Sequence, residues 1–315
     1  MNSEIYQDLG DGVTCIDTGY KRPQAAAAYL VIENDRAGFI DTGTFHSVNN
    51  LLAVLSDKGL SLEQVDYVMP THVHLDHAGG AGELMRRLPN AKLVMHPRGA
   101  RHMIDPEKLT KGVIAVYGEE NFQRQFGSLI PVPEERVMIA EDGFSIDLGG
   151  RKLVFLDTPG HASHHYCVWD EHSQGLFTGD TFGLSYREWD VEGRAFVFPT
   201  TSPVQFRPDA WMQTLDKLAS YKPKKINLTH YGQVSDVESL MIQLREGIEH
   251  SVIIARNCAE HKNRNDCIRR GLLDYLNKNL QKHGLQWSSL EVESFLDMDL
   301  KLNTQGLEVW LDHQN

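Results

Sequence analysis

The stretch His72-Val73-His74-Leu75-Asp76-His77 places three imidazoles and one carboxylate within six residues, the donor types that bind Zn²⁺, iron or Mn²⁺. Groups of this kind crowded together are costly unless a cation holds them. His72 and His74 alternate, so in an extended segment they face one side, while Asp76 and His77 fall where the chain turns toward a helix and address a second point. Three more apolar runs end in a ligand type: Leu156-Asp157-Thr158-Pro159-Gly160-His161, Leu176-Phe177-Thr178-Gly179-Asp180 and Leu228-Thr229-His230. The carboxyl ends of strands are where α/β folds place their sites. The chain's fifteen histidines fit the same chemistry.

The elements that must position these groups follow from the apolar period. Residues 13–16, 27–32, 38–41, 65–69 and 92–95 read as strands, with helical spacing at Leu51, Leu52, Leu55 and Leu60 and again over 80–87. This β-α-β alternation predicts a layered α/β fold. Residues 97–126 read as a helical insertion over one face of the sheet, after which strands resume at 136–139, 144–148, 152–157, 165–170, 174–178 and 225–229. Beyond 232 the β signal stops. Val237, Leu240, Met241, Leu244, Ile248 and Val252 mark one long amphipathic helix, Ile268 to Leu280 a second, and 290–302 and 307–311 shorter helical segments. The expected division is therefore 1–232 as the catalytic part, insertion included, and 233–315 as an all-α extension.

Composition narrows the function classes. With 31 basic and 43 acidic residues among 315, the net charge is −12, which argues against a nucleic-acid partner. No run reaches the roughly 20 apolar residues of a membrane span, and the start Met1-Asn2-Ser3-Glu4 lacks the features of a signal peptide, so a cytoplasmic location is expected. Cys15, Cys167, Cys258 and Cys267 show no paired spacing and are expected to be small buried hydrophobes rather than disulfides.

Taken together, these landmarks resemble the metallo-β-lactamase fold superfamily, and the glyoxalase II-like hydrolases within it. The matching positions are Asp41 in Ile40-Asp41-Thr42-Gly43, the 72–77 loop, His161 after Thr158-Pro159-Gly160, Asp180 after Thr178-Gly179, and His230 after Thr229. The resemblance implies an αββα sandwich holding two divalent metal ions, Zn²⁺ first, with Fe or Mn²⁺ as alternatives. It implies one site of His72, His74 and His161, a second of Asp76, His77 and His230, and Asp180 between them. Asp41 is then a structural residue beneath the loop. A metal-bridging hydroxide would attack an ester, thioester, lactone or phosphodiester, with Asp76 moving the proton and His165 donating to the oxyanion. His164 stands where the glyoxalase-like pattern commonly has Gly, a departure that weakens any transfer of that substrate.

Two alternatives accompany the hydrolase reading: a di-iron oxygen-binding or redox protein of the same fold, and a signalling or interaction protein with residual thioesterase activity. Di-iron members usually carry Glu at the position of His74, which favours hydrolysis. The expected partner is a small-molecule substrate, with a homodimer through the insertion or the C-terminal helices as a further expectation. Tyr186 and Arg187 are candidates for the mouth of the site, Arg101, His102 and Tyr117 for its entrance, and Tyr231 for either substrate contact or core packing.

Overall fold

A computed structural model describes residues 5–201 and 205–314; the start Met1-Asn2-Ser3-Glu4 lies outside these. The chain divides into two units. One contains the residues up to Asp157, His164–Gly179 and Pro223–Ser235; the other contains Thr158–Ser163, Asp180–Lys222 and the chain from Asp236 on.

The first unit holds two sheets. Strands β1 (Tyr6–Gly10), β2 (Val13–Asp17), β3 (Ala27–Glu33), β4 (Arg36–Ile40), β5 (Val65–Met69), β6 (Lys92–Met95) and β7 (Val137–Ile139) form one, in that order. The first four pair antiparallel and the last four parallel. The other sheet runs β13-β12-β11-β10-β9-β8, from β8 (Ser145–Leu148), β9 (Arg151–Asp157), β10 (Tyr166–Asp170), β11 (Gly175–Gly179), β12 (Lys225–Leu228) and β13 (Gly232–Val234). Strand β3 shows why its sequence is apolar at every position from Ala27 to Ile32. Ala27, Tyr29 and Val31 join Phe155, Tyr166, Val168 and Phe177 of the facing sheet, whereas Ala28 and Leu30 pack on the opposite side with α1 (Val48–Asp57) and α3 (Ala81–Arg87). The short helix α2 (Leu75–Ala78) precedes α3, and the expected insertion folds as α4 (Ala100–Ile104), α5 (Glu107–Tyr117) and α6 (Glu119–Gln125).

The second unit contains α7 (Pro208–Ser220), α8 (Val237–Cys258), α9 (Arg264–His283), α10 (Ser289–Phe295) and α11 (Asp297–Asp312). Along α8, Leu240, Leu244, Ile248 and Ala255 are buried, the three-to-four-residue stripe that the sequence shows.

The structure departs from the sequence reading at several points. Strand β1 was not expected, because its residues are largely exposed and show no apolar alternation. Helix α7 was also missed, although Pro208 at its first turn and Trp211, Leu215 and Leu218 four and three residues apart are helix signals. Leu60 lies outside α1, beyond a turn at Gly59. The segment 307–311 is the end of α11 rather than a separate piece. The cysteine expectation is corrected in part: Cys258 and Cys267 form a disulfide between the last residue of α8 and the first turn of α9, while Cys15 and Cys167 are buried thiols. Their spacing of nine matches no short motif, and the turn between the two helices is what brings them together. Among the described residues no helix is long and apolar enough to cross a membrane.

Candidate metal centre

In the first unit the ligand candidates gather where β4, β5 and β12 end. Asp41 follows β4 with φ 56 and is fully buried. Its carboxylate accepts hydrogen bonds from Thr71 N at 2.7 Å, Thr71 Oγ1 at 2.9 Å, Thr229 Oγ1 at 2.6 Å and His77 Nδ1 at 2.9 Å. One buried anion thus fastens the chain beyond β5 and beyond β12 to the end of β4, and it sets the ring of a candidate ligand. The expectation of a supporting Asp41 agrees with this network.

The His72 and His74 rings are neighbours, with Nε2 of His72 2.7 Å from Nδ1 of His74. Asp76 Oδ2 lies 3.5 Å from His230 Nε2, and Asp76 Oδ1 lies 4.0 Å from His77 Nε2. Ligand atoms of Asp76, His77 and His230 all fall within 4.8 Å of one another. Asp76 is the partly exposed member of this trio; the two rings are buried.

In the second unit His161 and Asp180 are neighbours, with Nε2 3.4 Å from Oδ2. Two features hold them. Gly160, with φ 146, packs so closely on Trp211 of α7 that a Cβ would fall 2.4 Å from the Trp211 Cβ. The Trp211 indole then donates to Thr181 O at 2.7 Å, so one side chain buttresses the turn before His161 and the segment after Asp180. This support was not read from the sequence, since it needs α7 in place.

The donor set fits divalent metal ions. Nδ1 of His77 faces the Asp41 carboxylate, Nδ1 of His161 faces Thr200 O at 3.0 Å, and Nδ1 of His230 faces Ala25 O at 2.7 Å. Carboxylate and carbonyl oxygens only accept, so the proton sits on Nδ1 and the Nε2 lone pair is directed at the ligand position in all three rings.

The remaining candidates separate. His165 is fully buried and stacks on His72 with ring centroids 4.8 Å apart, and His164 lies 6.1 Å from His72 and 5.7 Å from His74. A Cβ on Gly179 would fall 2.6 Å from His165 Nε2, so glycine is what permits β11 to end there. Tyr117, half-buried at the end of α5, has its phenol pKa raised by burial and by the charge of Asp76. Tyr231 is buried in the core between the sheets. The mouth expected at Tyr186 and Arg187 is not what these residues build: the Tyr186 ring packs with Trp189, Phe198 and Phe295 and its hydroxyl donates to Asp299, while Arg187 binds Ser185 and Asp190.

A sequence profile of the metallo-β-lactamase superfamily matches residues 22–230, and the chain belongs to that superfamily. Its fold, two sheets with helices and a C-terminal helical region, is of this type. It is 30% identical over 217 residues to the metallo-β-lactamase fold-containing protein ST1585 of Sulfurisphaera tokodaii, covering 68% of this chain and 75% of that protein. The crystal structure of ST1585 aligns over 95% of this chain and 98% of that one, with a TM-score of 0.64 and 23% identity, a likeness of fold. Human acyl-coenzyme A thioesterase MBLAC2 is 27% identical over 198 residues, covering 56% of this chain and 65% of that protein. Coenzyme F420H(2) oxidase of Methanothermobacter marburgensis is 29% identical over 160 residues, half of this chain and 34% of that protein.

Proposed function

We propose that this protein is a dinuclear metal-dependent hydrolase acting on a small ester, thioester, lactone or phosphodiester. On this reading His72, His74 and His161 hold one ion, Asp76, His77 and His230 hold the other, and Asp180 lies between them. The observation that carries it is the grouping of ligand atoms within each unit: those of Asp76, His77 and His230 lie within 4.8 Å of one another in the first, and His161 Nε2 lies 3.4 Å from Asp180 Oδ2 in the second. Bound there, Zn²⁺, Fe or Mn²⁺ would supply an ionised water near neutral pH and positive charge for a developing oxyanion. The chain's own groups do the rest. Asp41 and the carbonyls of Ala25 and Thr200 keep each ring nitrogen in its ligand tautomer. Asp76, the one carboxylate of the trio and its partly exposed member, is the group that takes up a proton and returns it to the leaving group. His165, stacked against His72, acts on this reading through the orientation of that ring rather than as a direct oxyanion donor. Residues 1–232 form the catalytic part and 233–315 the appended helices.

The thioesterase relative supports the hydrolytic reading, and the oxidase relative supports the redox alternative. One experiment separates them. Protein purified without added metal is assayed for metal content, then tested on a panel of thioester, lactone and phosphodiester substrates beside the His72→Ala and Asp180→Asn variants. Turnover lost in both folded variants is the expected result. Iron-dependent oxygen consumption with no hydrolysis across the panel would replace this reading with the redox one.

A further inference from the structure

Beside the Asp76–His77–His230 group, the helical insertion presents an apolar face that the fold leaves half covered. Leu75, flanked by the ligands His74 and Asp76, is buried in a cluster with Tyr20, Ala26, Phe122 and Phe126. Ala26 adjoins Ala25, whose carbonyl holds His230, so this cluster borders the ligands directly. Against this cluster pack Leu109, Val113, Ile114 and Tyr117 of α5, spaced to share one helix face, and each is only partly buried. Helix α6 is held more firmly: Phe122 is buried, Phe45 N donates to Phe126 O at 3.2 Å, and the His46 ring lies 3.2 Å from Gln123 O. The charges of α5 lie elsewhere on the helix, with Lys111 paired to Glu107 and both exposed.

We propose that the α5 face is the acyl-binding wall of the site: a linear or aromatic acyl group lies against Leu109, Val113, Ile114 and Tyr117 while its carbonyl reaches the Asp76 side of the centre. This deepens the hydrolytic reading by naming an apolar acyl compound, rather than a phosphodiester, as the substrate. The four side chains are three hydrocarbons and a phenol, which offer a hydrocarbon chain contact and a phosphate no charge. From Leu109 to Tyr117 the face spans about 12 Å along the helix, so medium-length chains fill it. Tyr117 ends the face and packs on the cluster that contains Leu75, the residue before Asp76.

Calorimetric binding of acetate, butanoate, hexanoate and octanoate to the purified protein tests this without needing turnover. Each added methylene should tighten binding about twofold if half buried and about fourfold if fully buried. Val113→Asn and Ile114→Asn should each flatten the series, costing octanoate at least tenfold and leaving acetate unchanged. Lys111→Ala, away from the wall on the same helix, should leave the series intact, and circular dichroism verifies that each variant is folded. A flat series in the unaltered protein, or equal loss with Lys111→Ala, overturns the proposal. Parallel hydrolysis of p-nitrophenyl acetate and octanoate separates the two claims. A rising affinity series without any ester turnover keeps the wall and refutes the hydrolase; turnover indifferent to chain length beside a flat series does the opposite.

Discussion

Replacing Asp41 by Asn tests whether the buried carboxylate sets the chemistry of the centre or only its shape. Asn is among the few residues that accept the positive φ of this position, so the backbone is preserved. The change falls on one atom. If the amide oxygen takes the place of Oδ1 toward Thr71, the amide nitrogen replaces Oδ2, which now faces Thr229 Oγ1 at 2.6 Å and His77 Nδ1 at 2.9 Å. The threonine hydroxyl can rotate to accept. The imidazole cannot accept unless its proton moves to Nε2, the nitrogen a metal requires. Loss of the charge-assisted bonds should cost the metal-free protein about 1–2 kcal/mol, and the ion held by His77 should bind about 10- to 100-fold more weakly. Protein stripped with a chelator and back-titrated with Zn²⁺ against a chromophoric competitor reads the affinity, and urea unfolding reads the stability. Two equivalents bound as tightly as before, with an unchanged unfolding midpoint, would refute the argument that Asp41 fixes the His77 tautomer.

Gly160→Ala should destabilise the turn before His161, because the new methyl would overlap Trp211 at a φ that alanine rarely adopts; a drop in the thermal midpoint together with weakened metal retention is expected, and a variant indistinguishable by both measures counts against the buttress. Under denaturing, non-reducing conditions thiol titration should find two reactive cysteines, Cys15 and Cys167, and four after reduction. Reduction should lower stability by about 2–3 kcal/mol for a loop this short; four thiols without reductant would remove the crosslink. Glu83 is buried, and its hydrogen bond from Arg86 holds its pKa below the ordinary glutamate value, opposed by desolvation. A carboxylate depressed on folding contributes stability that is present above the unfolded pKa and disappears as pH falls through the lower folded value. Unfolding curves of Glu83→Gln should therefore fall short of the unaltered protein at pH 7 and approach it in acid, and a deficit independent of pH contradicts the sign.

The candidate ligands stand out in the sequence because proximity in the chain makes them anomalous: three imidazoles and a carboxylate in 72–77 have few structural reasons to coexist. His161, Asp180 and His230 were legible through their strands, since β9, β11 and β12 are apolar runs that stop just before them. What orients the rings was not legible, and the reason is chemical. Asp41 reaches Thr229 across a separation of 188 residues, from the end of β4 in one sheet to the end of β12 in the other, a pairing that the packing of the two sheets brings about. The other two anchors are the main-chain carbonyls of Ala25 and Thr200, which any residue supplies. A carbonyl leaves no side-chain signature, so a substitution at Ala25 that keeps the backbone keeps the anchor, whereas a substitution at Asp41 removes it. The same asymmetry explains the misread mouth. Tyr186 and Arg187 have the chemistry of a binding loop, but the aromatic neighbours Trp189, Phe198 and Phe295 enclose the phenol, and Ser185 and Asp190 occupy the guanidinium. Residue type identifies which groups are able to bind; whether neighbours have already claimed them is decided by packing. On that ground the half-covered hydrocarbon face of α5 is a better guide to the substrate than a charged loop whose charges are already engaged.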